Sequence, residues 1–324
     1  MEPTAISREK SVEPSAEESA VHLTPNQRAR RRFRRNVPAV VSLGFLLVLF
    51  LVVIVWPKIA PYPFDATSDL QVSPPSRAHW FGTDIHGRDL MTRVFFGARI
   101  SILVGLIGAT VAVVKGVTWG ALAGFKGGWI DSGIMRMVDI LYSLPSIIFV
   151  IVMITTLEGL VRTRLQSFFG WGPEAVGYSR LGFLFVGLGA ISWLNMARIV
   201  RGQVLALRHR TFVDASVALG ASPFRILFRH ILPNIYGIVI VYATLTVPAI
   251  ILYESFLSYL GLGIQPPMAS WGSLIADGAS QLNPIRVYWW LIFFPAGMLV
   301  VTLLALNFVG DGLRDAWDPK GRSD

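Results

Sequence analysis

The sequence predicts an all-α membrane protein with six transmembrane helices, and three observations carry that prediction. The chain of 324 residues is 53% hydrophobic and only 15% charged, whereas a soluble globular protein has about 25% charged residues. Its apolar residues gather in six runs, each close to the roughly 20 residues that a helix needs to cross a bilayer. Arginine and lysine are most frequent at alternate ends of these runs, as they are in cytoplasmic loops.

The apolar runs divide the chain into its predicted segments. They cover residues 37–57, 99–123, 137–157, 182–202, 236–260 and 288–309. From them we predict a disordered basic cytoplasmic tail at 1–36, a first transmembrane helix at 37–57, an outer loop with a lead-in helix at 58–98, a core of five transmembrane helices at 99–309 that includes a cytoplasmic loop at 203–235, and a cytoplasmic tail at 310–324. Because the number of spans is even, both termini are predicted to lie in the cytoplasm.

The predicted tail ends in an arginine cluster formed by Arg28, Arg30, Arg31, Arg32, Arg34 and Arg35. The pair Arg31-Arg32 before an apolar run raises the alternative of a twin-arginine export signal. However, the run Val37–Trp56 is longer than the core of a signal peptide, and no small-x-small cleavage site follows it. The pattern favours a first span whose orientation is set by positive charge on the cytoplasmic side.

A polar stretch, Thr211–Asn234, lies between two long apolar runs and predicts a pair of short helices. Thr211 is expected to cap the first helix, and Asp214 suits the positive end of its dipole. Gly220 stands where a left-handed residue would end that helix.

The second helix of the pair is predicted to start at Ser222-Pro223, with serine as the cap and proline at the first helical position. Pro233 is predicted to stop it. A short apolar helix between membrane spans must bury its side chains, either on its own bundle or in another protein.

Polar residues inside transmembrane spans are costly and therefore informative. Ser192 and Asn195 in the fourth run are predicted either to face a translocation pathway or to hydrogen-bond another helix. Glu254, near the outer end of the fifth run, has two interpretations. It either bonds to the backbone of the adjacent loop or acts as an outer gate.

In the outer loop, Asp84, His86 and Asp89 form a small group of hard or borderline ligand types. No second group supports a metal site there. Gly82 and Gly87 are more simply explained as tight turns, so no metal site is predicted.

The sequence also lacks the motifs of the common catalytic sites. It contains no G-x-x-x-x-G-K-[ST] phosphate-binding loop, no G-x-S-x-G elbow, no H-E-x-x-H and no cysteine. We therefore predict that the chain is not an enzyme by itself, and that any driven transport takes its energy from a partner ATPase or an ion gradient.

Several motifs carry a resemblance to a known family. The run Asp214-Ala215-Ser216, with Gly220 and then Ile231-Leu232-Pro233, resembles the EAA loop of ABC-importer permeases, with Asp in place of Glu and Ser in place of the second Ala. Segments 81–89, 197–203 and 307–319 resemble the dipeptide/oligopeptide/nickel branch. The nearest likeness is to the C-type permeases of oligopeptide importers.

The resemblance implies a fold, partners and a location. The fold is the type I ABC-importer permease fold in the bacterial inner membrane, with the outer loop in the periplasm. The implied partners are a second permease in a heterodimer, two ABC ATP-binding subunits that bind ATP and Mg, and a periplasmic peptide-binding protein. No cofactor is expected in this chain. The residues expected to couple to the ATPases are Asp214, Ala215, Ser216, Gly220, Ile231 and Pro233.

The expected substrate is an oligopeptide. Dipeptides, nickel chelates and peptide antibiotics, which relatives carry, remain alternatives. A proton-coupled secondary transporter is disfavoured, because it needs several carboxylates near the membrane midplane and Glu254 stands without a second one.

Overall fold

The computed structural model describes residues 25–156, 173–266 and 268–317. Across these residues all regular secondary structure is helical apart from one isolated bridge between Thr83 and Asp89, which confirms the all-α prediction for this part of the chain. The helices are α1 (Pro25–Arg35), α2 (Val37–Ile59), α3 (Leu90–Lys126), α4 (Gly128–Ser143), α5 (Ser146–Thr156), α6 (Pro173–Leu207), α7 (Thr211–Ala218), α8 (Pro223–Ile226), α9 (Leu232–Tyr259), α10 (Trp271–Ser280) and α11 (Trp290–Trp317). Much of segment 158–181, between the third and fourth predicted runs, lies outside the described residues.

Four stretches of described helix are long and apolar enough to cross a membrane: α2, α3, α8 continued through α9, and α11. A fifth span is present if α4 and α5 together make one crossing. The predicted run 182–202 lies within α6, several of whose side chains are outside the described part. The lead-in helix and the second run form one continuous helix, α3, of 37 residues.

The predicted run 137–157 does not form one continuous helix, because the chain bends there by 92° between α4 and α5. Leu144, at the end of α4, has an extended backbone with φ −81° and ψ 138°. A residue before proline is pushed out of the helical region by the proline ring, and Pro145 follows Leu144. The apolar run continues across this break, which is why hydropathy alone does not reveal it.

Glycines of α3 bring its backbone against α6 at four-residue intervals. A Cβ built on Gly116 would lie 2.5 Å from the Met196 side chain, and one on Gly120 would lie 2.4 Å from the Ala197 carbonyl oxygen. Small residues spaced in this way let membrane helices approach closely. The α3–α6 pair is therefore the closely packed centre of the fold.

Gly120→Ala is expected to lower the melting temperature of the detergent-purified protein, because the added methyl group meets a backbone carbonyl that cannot rotate away. Overpacking of this kind costs about 1–3 kcal/mol. Gly133→Ala is the matched control, because a Cβ there has no neighbour within 4 Å. Equal melting temperatures for the two variants would contradict the close α3–α6 contact.

Helix α11 continues past the expected end of its span. The first residues of the predicted tail, among them Gly310 and Gly312, belong to α11, which runs to Trp317. A Cβ on Gly310 would lie 2.5 Å from Leu245, and one on Gly312 would lie 2.4 Å from Ala39. Both glycines make room for neighbouring helices rather than end the helix.

Two ion pairs hold α4 on α6. Arg201 donates two hydrogen bonds to Asp131, at 2.5 and 2.6 Å. Arg198 donates to Asp139 at 2.8 Å, and its guanidinium lies 4.3 Å from the centre of the Tyr142 ring. These contacts fix the position of α4 beside the cavity described below.

Candidate functional site

The first candidate site is the coupling segment, residues 211–234, which contains the EAA-like motif. Its first helix, α7, begins at Thr211, so Thr211 is not the cap as predicted. Arg210 takes the cap position and no side chain caps the helix. Asp214 lies in the first turn as predicted and suits the positive end of the helix dipole.

Gly220 ends α7 in the left-handed conformation that the sequence predicts, with φ +77°. The Ala221 N–H donates to the Ser216 carbonyl at 3.0 Å, and the Gly220 N–H donates to the Val217 carbonyl at 2.9 Å. This pair of bonds satisfies carbonyls at the helix end, as in a Schellman motif. A Cβ at Gly220 would have no neighbour within 4 Å, so the glycine serves the backbone turn rather than packing.

Ser222 caps the next helix, α8, as predicted, and accepts a hydrogen bond from the Arg225 N–H at 3.4 Å. The prediction that Pro233 stops this helix is wrong. A π-helical turn, Leu227–Ile231, joins α8 to α9, in which Pro233 is among the first residues. The wider turn accommodates the proline, which lacks an N–H, and the Asn234 side chain donates to the His230 carbonyl at 2.6 Å.

One side of the coupling segment is fixed to the bundle. Val213 of α7, Ile226 of α8 and Ile231 of the π turn are buried in a cluster with Val200 and Val204 of α6. The segment from α7 to the π turn is therefore packed directly on α6. Ile231 is fully buried, so it can act in coupling only through this packing.

The other side of the segment leaves large apolar side chains exposed. Leu219 is 88% exposed and Phe224 is 71% exposed. The remaining members of this apolar face are Phe212, Val217 and Phe228. Of the predicted coupling residues, Asp214, Ala215, Gly220 and Pro233 are also exposed and Ser216 is half-buried. An apolar face of this kind is typical of a surface that docks on another protein.

The second candidate site is a cavity of about 460 Å³ between the α4–α5 bend, α6 and α9. Its lining includes the predicted pathway residues Ser192 and Asn195 and, beyond them, Tyr142, Ser146, Ile191, Met196, Ile199, Tyr242, Leu245, Thr246, Ala249 and Tyr253. The wall therefore combines apolar surface with several hydroxyl groups and one amide.

The polar groups of the cavity differ in how far they are already paired. Ser192 donates to the Leu188 carbonyl at 2.9 Å, and Thr246 donates to the Tyr242 carbonyl at 2.7 Å. The Asn195 amide is exposed and has no hydrogen-bond partner among the described residues. Asn195 is thus available to a ligand, as are the hydroxyl groups of the three cavity tyrosines.

Sequence reasoning missed the cavity residues of α9. Tyr242, Thr246, Ala249 and Tyr253 recur at intervals of four, three and four residues, which places them on one helix face. A polar stripe at helical spacing inside an apolar span was the available signal. Tyr142 carried no comparable signal, because its place depends on the bend after α4.

Glu254, the third predicted pathway residue, does not line the cavity. It is fully buried, and its two carboxyl oxygens accept hydrogen bonds from Ser258 at 2.6 Å and Ser101 at 3.0 Å. The Ser258 hydroxyl accepts from the Ile264 N–H at 3.1 Å, and the Ser101 hydroxyl accepts from the Trp271 N–H at 3.3 Å. Glu254 therefore ties α9 to α3 and, through the serines, to the backbone of the following loop and α10.

Glu254→Ala is expected to destabilise the protein, because the three buried hydroxyls of Ser101, Ser255 and Ser258 lose their acceptor. Leaving such groups unpaired costs about 1–3 kcal/mol each. Glu254→Gln keeps one acceptor oxygen and should lose less. Proteolysis of the 260–270 segment in detergent is the readout, and an unchanged cleavage rate in Glu254→Ala would contradict the tether.

Asp84 and Asp89 of the predicted outer loop take part in a network of ion pairs and hydrogen bonds. The Asp84 carboxyl accepts from the backbone N–H groups of His86 and Arg88 at 2.8 and 2.9 Å, from the Arg88 guanidinium at 2.7 Å and from Arg93. Asp89 accepts from Thr92 N–H at 2.9 Å as the cap of α3 and pairs with His79. Both carboxyls are thus used in shaping the turn before α3.

Two family profiles match this chain, and together they cover most of the described helices. A family profile described as "Binding-protein-dependent transport system inner membrane component" matches residues 116–323, which include the cavity helices and the coupling segment. A second profile, described as the "N-terminal TM domain of oligopeptide transport permease C", matches residues 24–75.

Individual relatives extend over most of the chain. It is 48% identical over 299 residues to the oligopeptide transport system permease protein OppC of Escherichia coli K12, covering 91% of each chain. It is 43% identical to OppC of Bacillus subtilis, covering 91% of this chain and 89% of the relative. It is 44% identical to the dipeptide transport system permease protein DppC of Bacillus subtilis, covering 93% and 87%. The chain therefore belongs to the family of binding-protein-dependent transport system inner membrane components.

Proposed function

We propose that this protein is a transmembrane permease subunit of an ATP-driven importer that carries oligopeptides across the bacterial inner membrane. The identity to proteins named oligopeptide permeases supports the substrate class. The apolar helices support a multi-pass membrane protein. The chain itself transports and does not catalyse. ATP and Mg bind to partner subunits.

In this proposal the chain crosses the membrane six times, with both termini in the cytoplasm. The arginine-rich α1 precedes the first span, the coupling segment carries Arg225 and Arg229, and Arg210 lies directly before it. Positive charge of this kind favours the cytoplasmic side. The segment between α2 and α3 then lies in the periplasm, where a peptide-binding protein docks.

The coupling segment is proposed to contact an ATP-binding subunit. Its exposed apolar face, with Leu219 at its tip, enters a groove on that subunit, and Asp214, Ala215, Ser216 and Gly220 shape the helix that enters. Closure of two ATP-binding subunits pulls α7. Because Val213 and Ile231 pack on α6, the pull reaches the helices around the cavity, and alternating access follows by rigid-body movement.

The cavity is proposed to be this subunit's half of the peptide pathway, completed by a second permease. Peptides of varied sequence share only their backbone amides and carbonyls. The Asn195 amide both donates and accepts, and the three tyrosine rings supply apolar surface with hydroxyl tips. Such a wall suits sequence-independent passage. Glu254 is proposed to act on the outer gate by tethering the 260–270 segment.

The observation that carries the proposal is the exposed coupling segment packed onto the cavity helices. The test is uptake of labelled peptides by vesicles that contain the full complex. We expect ATP-dependent uptake that survives collapse of the proton gradient, and uptake lost with that gradient would support a secondary transporter instead. The identity to a dipeptide permease makes a dipeptide the competitor to include beside a longer peptide.

Asn195→Leu is expected to reduce peptide uptake by roughly two- to tenfold, because one hydrogen bond to the passing backbone, worth about 0.5–1.5 kcal/mol, is lost. Asn195→Gln keeps an amide and should retain most of the uptake. Initial rates in proteoliposomes are the measurement. Equal uptake by both variants would argue against a peptide contact at this position.

A further inference from the structure

Helix α1 carries arginines that the rest of the described chain does not use. Arg30, Arg31, Arg34 and Arg35 are exposed, and none of them has a hydrogen bond or ion pair within the described residues. At helical spacing these four side chains occupy an arc of about 140° on one face. Among the residues that the structure describes, this arc is a concentrated positive surface without a counter-charge.

The opposite face of α1 packs on α11, so the four arginines point away from that helix. Ala29 is buried and Phe33 is half-buried. A Cβ on Gly312 of α11 would lie 3.2 Å from the Phe33 ring. The helix is thus seated on the end of α11 with its arginines turned away from the protein.

The arginines lie next to the hydrocarbon region of the bilayer. Asn36 is the single residue between α1 and α2, and its side chain accepts from the Ala39 N–H at 3.2 Å as the cap of α2. The apolar span begins at Val37, only two residues after Arg35. Even Arg30 is within about 10 Å of that point along the chain, a distance close to the Debye length in physiological salt.

We propose that α1 is a lipid-binding helix that holds anionic phospholipid headgroups through Arg30, Arg31, Arg34 and Arg35. Guanidinium groups bind phosphate oxygens through paired hydrogen bonds. Basic residues beside a membrane span are attracted to anionic lipid by about fivefold in affinity for each charge near the surface. We favour anionic lipid over an acidic protein as the ligand because the four arginines lie directly beside a transmembrane helix. By holding α1 on α11, bound lipid secures the end of the last span.

The test uses the purified full chain in nanodiscs that contain spin-labelled phosphatidylglycerol or spin-labelled phosphatidylcholine in a phosphatidylcholine background. The fraction of motionally restricted label reports binding and needs neither ATP nor peptide, so its failure is distinct from failure of the proposed function. We expect at least about a fivefold preference for phosphatidylglycerol. The preference should weaken strongly at about 0.5 M salt, where charges are screened.

Replacing the four arginines by glutamine should abolish the preference for phosphatidylglycerol over phosphatidylcholine. Replacing them by lysine should keep this preference, since the charge is retained. Arg77→Gln with Arg286→Gln is the matched control, because both side chains are exposed elsewhere on the chain. A preference that survives the four glutamines overturns the proposal. So does loss of the preference in the control, which would place the lipid contact on other arginines.

Discussion

We expect Gly220→Val to abolish the stimulation of ATP hydrolysis by loaded binding protein in the reconstituted importer, while the variant still inserts and assembles. Gly220 has φ +77°, a conformation that is strongly unfavourable for a β-branched residue. Space is not limiting, because nothing lies within 4 Å of its Cβ position. The strain therefore acts on the turn alone and redirects α7 relative to α8.

The control for this variant is Gly44→Val. Its Cβ would also meet nothing within 4 Å, but Gly44 lies inside α2, where the backbone is helical. This control should keep full stimulation. Normal stimulation in Gly220→Val would count against a coupling role for the turn, and loss of stimulation in both variants would make the effect non-specific.

The second large effect is expected at Asp84. In Asp84→Ala, the buried Arg88 and Arg93 lose their shared carboxyl, and the remaining acid near Arg93 is Asp277, at 3.7 Å. Removing one member of a buried ion pair costs about 3–5 kcal/mol, because the other charge stays buried without compensation. The melting temperature in detergent should fall by many degrees.

Two further variants test whether the lost charge causes the fall in melting temperature. Asp84→Asn keeps an oxygen for the His86 and Arg88 N–H groups and removes only the charge, so it should fall between the wild type and Asp84→Ala. Asp69→Ala removes an exposed carboxyl from the same segment and should be near neutral. A melting temperature in Asp84→Ala equal to that of Asp69→Ala would mean that the network does not stabilise this segment.

The sequence predicted features whose causes are local. The left-handed turn at Gly220 and the cap at Ser222 depend on a few neighbouring residues, and both are confirmed. Long apolar runs likewise predicted α2 and the apolar parts of α3 and α11. Residue chemistry along the chain is sufficient for features of this kind.

Features that depend on distant neighbours were not predicted. Gly312, for example, lies inside a helix and leaves room for Ala39 and Phe33 of distant segments, which approach it closely. Ser192 and Asn195 were identified as polar residues in an apolar span, but Tyr142 joins their cavity only through the bend after α4. Glu254 is likewise a polar residue in an apolar span, yet it is hydrogen-bonded to serines away from that cavity.

The most direct test of the coupling mechanism is a cross-link from the tip of α7. The chain has no native cysteine, so Leu219→Cys introduces a single thiol at an 88% exposed position. In the working importer, a short photoactivatable thiol reagent at that position should join the chain to an ATP-binding subunit, with a yield that changes when ATP is bound. Labelling of that thiol from outside intact cells, or the absence of any cross-link to an ATP-binding subunit in active complex, would contradict the account.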